Sequence, residues 1–522
     1  MDIGKRIIRN VFSNWCTYFI NIVIVFFLSP FVVHTLGNTG YGIWILVGSL
    51  TGYLGLLDLG IRPAIVRYVS KYKALNDDES INQVINTSLL IFTIAGLLAL
   101  LISLILAYFS VDIFKVTKDY HRELRLVVVL VGLNVALGFP FGVFNAFLNA
   151  WQRFDLNNAI IISAYLLRAG LIVLFLKLGY GLLALALITL STSLVEYVLK
   201  IRYCFKVFPA LKIKLSLANK KTLKMIFQFS LFSFIMGVST LLAYYSDSIV
   251  IGYFLSAATI TFFAIAANLI EYLKQLVNTV SVTLTPVAST FDALGDLSRM
   301  KDLLLVGTKY LFIIILPIGY TYIIMGKTFI NLWMGESYGP ASSMVLVILT
   351  LSYFGFLSQF ISTSIFYGMS KHRLLSLSCL GMSILNLVLS IILVKPLGVY
   401  GVALGTAIPL VFYGTFFVPA YICRVLKLKP WVYVKRSFFP PFFASLPFLL
   451  LIFYFENNLQ ILSLTQFFKL VGLACVVYSI CAFFICLEPP IKRVVLEKCK
   501  ITYQSLMRLE RITFRNIRSK GL

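Results

Sequence analysis

Charged residues, histidines and paired cysteines are scarce in this chain of 522 residues. Lys, Arg, Asp and Glu make up 12% of the sequence, which is too little polar surface for a water-soluble globule of this size. The three histidines and eight cysteines show no CxxC pair and no metal-ligand spacing, and HExxH, GxSxG and P-loop motifs are missing. These absences argue against a disulfide scaffold, a metalloprotease, a serine hydrolase and a nucleotide-hydrolysing protein.

Long uncharged apolar segments are what the sequence has instead. Hydrophobic residues make up 60% of the chain, and the run 89–108 carries no charge. A helix needs about twenty apolar residues to cross a bilayer, so the sequence predicts an all-α polytopic membrane protein with about fourteen transmembrane helices. They are placed at 11–35, 41–70, 84–109, 124–148, 157–177, 180–203, 226–255, 260–288, 305–326, 341–368, 373–394, 398–422, 438–455 and 466–487.

Lysine and arginine lie mainly in alternate loops between these helices. With the N-terminus inside, the external loops hold a minority of the 45 basic residues, namely Lys115, Lys118, Arg122, Arg125, Lys177, Lys327, Lys395 and Lys469. Because positive charge near helix ends favours the cytoplasmic side, we expect both termini in the cytoplasm. The net charge of +25 is spread over loops and tail, which indicates attraction to anionic membrane lipids and no nucleic-acid partner.

An internal repeat with an offset of 219 positions divides the chain into two similar halves. The matching pairs are Tyr53 and Tyr272, Leu54 and Leu273, Leu178 and Leu397, Gly179 and Gly398, Ala184 and Ala403, and Cys204 and Cys423. They predict two parallel six-helix bundles that face each other across a cleft.

Five regions follow from this division. They are an N-terminal six-helix bundle, a basic cytoplasmic linker, a C-terminal six-helix bundle, transmembrane helices 13 and 14, and a basic amphipathic cytoplasmic tail, at 1–203, 204–225, 226–425, 426–490 and 491–522. We expect the tail to lie on the inner membrane surface, with partner binding as the alternative.

Ionisable side chains inside membrane helices cost about 2.5 to 3.5 kcal/mol each at the bilayer centre, so they mark candidate functional sites. Arg168 and Lys274 fall near the midplane, one from each half, and are candidates to bind an anionic group in the cleft. Arg62, in the second helix, is the third basic candidate. The acidic candidates, for ion coupling or charge pairing, are Asp58, Glu196, Asp247 and Glu271.

Helical spacing leaves a second interpretation open for two of the cations. Asp58 and Arg62 are four positions apart, and Glu271 precedes Lys274 by three, so each cation can be neutralised by its own helix. Arg168 has no acidic residue three or four positions away and is the stronger ligand candidate. Beside Arg62, Pro63 predicts a kink in the helix over 41–70, because the carbonyl of Leu59 loses its helical donor.

One stretch carries a family resemblance. Residues 36–72 read LGNTGYGIWILVGSLTGYLGLLDLGIRPAIVRYVSKY, with Gly40-Tyr41-Gly42, Leu57 to Gly60 and Arg67-Tyr68 as the most telling parts. This stretch resembles bacterial polysaccharide-biosynthesis flippases of the multidrug, oligosaccharidyl-lipid and polysaccharide exporter superfamily. The resemblance implies two six-helix bundles in a V around a central cavity, here with two extra C-terminal helices.

The same resemblance implies a function and its partners. It implies alternating-access transport of a polyprenyl-diphosphate-linked oligosaccharide across the cytoplasmic (inner) membrane. The cargo is then a repeat unit of O-antigen, capsule or another surface polysaccharide, and Arg168 and Lys274 fit by position the cavity cations of such flippases. Further expected partners are membrane lipids, a polysaccharide polymerase and glycosyltransferases. No cofactor is expected beyond proton or sodium coupling.

Three alternatives stay open. A cation-coupled multidrug exporter of the same superfamily should have a cavity dominated by acidic and aromatic groups, whereas this chain has basic residues near its middle. A membrane-embedded glycan polymerase would need a sizeable external catalytic loop, and the largest one here, about 110–123, is short. The subfamily is open as well, because lipid II flippases have fourteen helices and many oligosaccharide flippases have twelve.

Overall fold

The computed structural model describes residues 3–369, 371, 373–488 and 492, and no strand occurs within these ranges. Apart from residue 492, the predicted tail lies outside the described residues. The helices are α1 (Ile3–Gly52), α2 (Ile61–Ala74), α3 (Asp78–Ile113), α4 (His121–Ala150), α5 (Phe154–Lys177), α6 (Leu182–Val207), α7 (Lys220–Phe254), α8 (Ala257–Val282), α9 (Thr285–Ala293), α10 (Leu297–Ile324), α11 (Gly326–Met334), α12 (Tyr338–Ser358), α13 (Phe360–Gly368), α14 (Arg373–Val411), α15 (Val418–Val425), α16 (Pro430–Ser437), α17 (Phe439–Asn458) and α18 (Leu464–Cys486).

Eleven helical stretches of the described chain are long and apolar enough to cross a membrane. Two of them, Trp15–Asp58 and Arg373–Val425, span 44 and 53 residues. The second covers the crossings expected at 373–394 and 398–422, and the first covers most of 11–35 together with the first part of 41–70. The 35-residue helix α7 is not among the eleven. The all-α, multi-pass membrane architecture is confirmed, while the number of fourteen crossings stays a prediction.

Glycines with positive φ turn the chain between consecutive predicted helices. Gly37 has φ 70° inside α1 and Gly398 has φ 58° inside α14, at the places where the sequence predicts a helix boundary. Gly179, the repeat partner of Gly398, also has positive φ, at 85°. Residues with a Cβ are strained in this region, so glycine is the residue that allows these tight turns.

The predicted continuous helix over 41–70 is wrong in its middle. A 3₁₀ segment follows α1, and Leu59 and Gly60, with φ values of 51° and 72°, then separate it from α2. Pro63 therefore lies in the first turn of α2, where a missing N–H leaves no helical carbonyl unsatisfied. The helix is therefore not kinked at Pro63 as expected but broken at Leu59 and Gly60, which lie four and three residues before the proline.

A second geometric feature repeats at the offset of 219. Asn76 and Gly295 have φ values of 52° and 65° and lie two residues before the start of α3 and α10. The next residues, Asp77 and Asp296, cap these helices, because each carboxylate accepts a hydrogen bond from the backbone N–H three residues later, at 2.9 and 3.0 Å. The two halves thus share a turn and a helix cap that the sequence comparison missed, while the exact domain limits stay a prediction.

Helices α1 and α7 connect the two halves. α1 packs against α4 and α5 of the first half and against α7, α8 and α11 of the second. α7 packs most extensively against α14 and also contacts α1, α2 and α3. One hydrophobic core contains Leu46 of the first half together with Ile251 and Ile265 of the second, all fully or almost fully buried. The two halves therefore meet at a closely packed junction.

The linker between the halves is fixed along α3 by two asparagine side chains. Asn82 donates to the carbonyl of Ala210 at 3.1 Å and accepts from the backbone N–H of Lys212 at 2.7 Å. Asn86 donates to the carbonyl of Lys212 at 2.7 Å and accepts from the N–H of Lys214 at 2.8 Å. The two amides satisfy alternate backbone groups of an extended segment, as a neighbouring strand would.

Candidate functional site

A cavity of about 350 Å³ lies between helices of the two halves. Residues of α1 and α4 line it from the first half, and residues of α7, α8, α12 and α14 line it from the second. Its lining combines polar side chains with aromatic rings, so it offers both hydrogen bonds and flat apolar surface. The polar members are Ser49, Asp247, Ser248, Asn268, Glu271 and Thr406, and the aromatic members are Trp44, Tyr245, Phe263 and Tyr353.

Asp247 is the most deeply buried acidic residue of this lining, at 6% exposure. Its carboxylate accepts hydrogen bonds from the hydroxyls of Thr406 at 2.8 Å and Ser390 at 3.5 Å, and Asn386 in turn donates to Thr406 at 2.8 Å. Among the side chains that the structure describes, no basic nitrogen lies within 4 Å of the carboxylate. A buried carboxylate in such surroundings is stabilised by hydroxyl donors, a proton or a bound cation.

Lys274 and Glu271 form the ion pair that their spacing allowed, with 2.9 Å between the ammonium and the carboxylate. The amide of Gln275 donates to the other oxygen of Glu271 at 3.0 Å. Glu271 lines the main cavity, whereas Lys274 lines an adjoining recess of about 120 Å³. Tyr353 and Thr406 line both spaces, so they form the wall between them.

Arg168 lies half-buried between α5 and α6. Its guanidinium donates to the hydroxyl of Thr192 at 2.9 Å and to that of Ser193 at 3.2 Å. Arg168 lines neither the main cavity nor the recess beside it, so a vestibule shared with Lys274 stays a prediction. Two consecutive hydroxyl residues in an apolar helix were the signal in the sequence for this contact.

Arg62 and Asp58 also form the pair that their spacing allowed, at 2.7 Å. The Arg62 side chain is 44% exposed, and one of its nitrogens lies 3.5 Å from the carbonyl of Gly138 in α4. The pair therefore links the end of the 3₁₀ segment to α2 and approaches α4, with the cation still accessible to a ligand.

Glu196 is paired with Lys200, a residue that the sequence analysis did not select. The carboxylate lies 2.7 Å from the ammonium, and Lys200 also donates to the amide oxygen of Asn145 in α4 at 3.1 Å. Lys200 is almost fully buried, at 4% exposure. The spacing of four residues on one helix was the signal that could have identified this pair.

An outer clasp joins the two halves in the middle of α1, around the turn at Gly37. Four hydrogen bonds connect groups 223 to 307 positions apart in sequence. They run from His34 to the carbonyl of Met334 at 2.6 Å, from Trp333 to the carbonyl of Phe26 at 2.9 Å, from Tyr338 to the amide oxygen of Asn38 at 2.7 Å, and from Thr261 to the carbonyl of Asn38 at 2.7 Å.

Solved structures of membrane transporters share this fold. The lipid II flippase MurJ, in an inward closed conformation, matches with a TM-score of 0.73 at 14% identity, over 91% of this chain and 98% of that one. An inward-facing multidrug resistance MATE family transporter of the MOP superfamily matches with a TM-score of 0.61 at 16% identity, over 78% of this chain and 95% of that one. The fold class is therefore that of the two-bundle transporters, as the sequence predicted.

Within this class, residues 7–291 match the polysaccharide biosynthesis protein family, and the chain belongs to that family. The membrane protein EpsK of Bacillus subtilis (strain 168) is 22% identical over 437 residues, which cover 82% of this chain and 85% of EpsK. An O-antigen transporter of Shigella flexneri is 21% identical over 406 residues, which cover 77% of this chain and 94% of that protein. The family expected from residues 36–72 is confirmed.

Proposed function

We propose that this protein is a flippase that moves a polyprenyl-diphosphate-linked oligosaccharide across the cytoplasmic membrane by alternating access. The observation that carries the proposal is a polar and aromatic cavity whose walls come from both halves of the chain. A glycan requires hydrogen-bonding groups and flat apolar surfaces, and the cavity supplies both. Family membership and the O-antigen transporter among the relatives support a repeat unit of a surface polysaccharide as cargo.

The outer clasp defines the proposed starting state of the cycle. With the termini in the cytoplasm, its four hydrogen bonds close the external side of the junction between the halves. Cargo then enters from the cytoplasmic side, and rocking of the halves breaks the clasp and opens the cavity outwards. A two-state element of this kind is what alternating access requires.

We assign the diphosphate to the basic candidates Lys274 and Arg168, with Arg62 as a third contact. Lys274 is held by Glu271 in the wall of the cavity, and a diphosphate, with its higher negative charge, competes with that carboxylate. Arg168 is held by two neutral hydroxyls, so a phosphate can take its free donors without breaking an ion pair.

The test is the double variant Arg168→Ala/Lys274→Ala in a strain that depends on this protein for surface glycan. We expect display to fall at least a hundredfold, because two charge-assisted contacts of about 1.5 to 3 kcal/mol each are lost, while the amount of protein in the membrane is unchanged. The matched control removes two exposed cations, Lys177→Ala/Lys395→Ala, and should display glycan normally. Normal display by the first variant would refute the assignment of these residues.

The Asp247 cluster is the proposed site for coupling to a proton or sodium gradient. Asp247 has a buried carboxyl group that faces the cavity and contacts two hydroxyl groups. Thr406→Val removes one of these oxygens at nearly constant volume and should reduce the dependence of transport in proteoliposomes on the gradient. If transport by the unaltered protein does not change when the proton or the sodium gradient is collapsed, the assignment of a coupling site is refuted. The other acidic candidates, Asp58, Glu196 and Glu271, each have a basic partner within 3 Å and are weaker candidates.

One observation favours a second function, cation-coupled export of a cationic drug. The main cavity is lined by two carboxylates and four aromatic residues, while its nearest candidate cation lies in the recess beside it. Dye export from cells or vesicles, together with normal surface glycan in a deletion strain, would select this function over the first. The similarity in fold to MATE transporters fits it equally.

We also propose that the protein transports its cargo without catalysing a covalent step. Purified protein mixed with lipid-linked repeat units should leave their length unchanged, and elongated chains would reveal a polymerase instead. Glycosyltransferases, which supply the transported lipid, and a polysaccharide polymerase, which consumes it, are then separate partners.

A further inference from the structure

Two adjoining depressions lie on either side of α10 in the second half. One, of about 610 Å³, is formed by α10, α16, the start of α17 and Glu488. The other, of about 510 Å³, is formed by α8, α9, α10 and α13. Asp302 and Val306 line both of them, so the two depressions meet across a single ridge of α10. We call them the basic depression and the apolar groove.

The basic depression has a surplus of positive charge. Lys435 and Arg436 are exposed in the last turn of α16, and among the described side chains neither has a carboxylate within 4 Å. Lys309 is neutralised by Glu488, at 3.3 Å. Asp302 is the remaining carboxylate, which leaves a net charge of one positive unit once the pair is discounted.

The apolar groove is lined almost entirely by hydrocarbon. Leu284, Phe291, Leu303 and Leu311 are among its residues. Its one basic side chain, Arg299, is paired with Asp296 at 3.3 Å. Any surface that faces lipid is apolar, so the groove alone indicates no ligand. Its continuity with the basic depression does indicate a ligand, because an anionic amphiphile has a charged headgroup for the depression and a hydrocarbon chain for the groove.

Residues from the first part of α10 line both depressions, and the predicted topology places the start of α10 on the same side of the membrane as the linker. By the distribution of basic residues this is the cytoplasmic face, where anionic headgroups attract lysine and arginine. Trp431, 62% exposed in the basic depression, is a residue type that favours the headgroup level. The level of the depressions in the membrane, the net positive charge of one and the apolar lining of the other therefore all suit an anionic lipid.

We propose that the basic depression and the apolar groove form a binding site for one anionic glycerophospholipid of the inner leaflet. The phosphate binds Lys435 and Arg436, the headgroup hydroxyls reach Asp302, and an acyl chain crosses the ridge at Val306 into the groove. The net positive lining selects an anionic headgroup over a zwitterionic one. This site is separate from the main cavity, and its occupation does not depend on what the protein transports.

Quenching of Trp431 tests the proposal on the full-length protein. Nanodiscs of phosphatidylcholine receive a small fraction of brominated phosphatidylglycerol, brominated phosphatidylethanolamine or brominated phosphatidylcholine, and the spectrum of Trp431→Phe is subtracted to isolate Trp431. Each basic residue near a lipid surface contributes about a fivefold preference for an anionic lipid at low salt. Because the lining carries one net positive charge, we expect phosphatidylglycerol to quench Trp431 at about a fivefold lower mole fraction than either other lipid.

The variant Lys435→Gln/Arg436→Gln should lose this preference, and both positions are exposed, so folding is preserved. The matched control Lys220→Gln/Lys221→Gln removes two exposed cations from the same face and should keep it. Equal quenching by all three lipids, stronger quenching by phosphatidylethanolamine, or an equal loss in the control would each overturn the proposal. None of these outcomes bears on glycan transport, which is measured separately.

Discussion

Replacing Tyr338 with phenylalanine removes one hydrogen bond of the outer clasp and should move the protein towards its outward-open state. The hydroxyl donates to the amide oxygen of Asn38 at 2.7 Å, and Tyr338 is 7% exposed, so water does not fully replace the lost donor. A hydrogen bond of this kind contributes about 0.5 to 1.5 kcal/mol. The ratio of outward-open to closed molecules should therefore rise about two- to twelvefold. Adding Trp333→Phe, which removes the donor to Phe26, should roughly double the change in free energy.

Electron paramagnetic resonance distances measure this ratio directly. Spin-labelled unnatural amino acids at Lys177 and Lys395, exposed positions in the first and second halves, report separation of the outer ends and avoid the native cysteines. Tyr478→Phe is the matched control, because it removes a hydroxyl that donates to the carbonyl of Ile313 at 3.0 Å, a contact between α18 and α10 that does not involve the first half. Its distance distribution should equal that of the unaltered protein.

The reasoning fails if Tyr338→Phe leaves the distance distribution unchanged while the same labels respond to cargo. It also fails if Tyr478→Phe produces the same shift, since the effect would then come from general loosening. A shift towards shorter distances would mean that the hydrogen bond opposes closure.

Three further predictions concern stability and are measured by unfolding in detergent. Lys200→Met should destabilise the protein by about 3 kcal/mol, because it leaves Glu196 without its cation, and adding Glu196→Gln should recover most of the loss. Gly398→Ala should cost about 1 to 2 kcal/mol, because φ is 58° there, whereas Gly381→Ala, at an open helical position, should be neutral or slightly stabilising. The pKa of Asp77 is lowered by hydrogen bonds from Ser80, mainly from its hydroxyl and also from its backbone N–H. The unaltered protein should therefore be more stable than Asp77→Asn above about pH 4. It should lose this advantage as the pH falls further, because the carboxylate of Asp77 becomes protonated.

Apolar segment length and the glycine turns made much of the fold predictable from the sequence. The boundaries near Gly37 and Gly398 were found because a polar or glycine-containing turn interrupts two apolar runs. The break at Leu59 and Gly60 was missed, because a leucine with positive φ has no signature in the sequence and Pro63 suggested a kink in its place.

The candidate site was less predictable than the fold. Helical spacing identified the pair of Lys274 and Glu271, because both partners lie on one helix. The partners of Asp247 come from α14, more than 140 positions away, and no local pattern encodes such contacts. For Arg168 the sequence indicated the depth in the membrane but not which side of α5 the side chain faces.

The asparagine contacts along α3 attach the linker to the first half of the protein. Asn219, the cap of α7, also donates to the amide oxygen of Gln83 in α3 at 2.8 Å, so the connection stays attached to the first half up to the first residue of α7. The connection is therefore not a flexible linker that could extend if the halves separate. If the halves rock as proposed, we therefore expect the pivot of the second half to lie within α7.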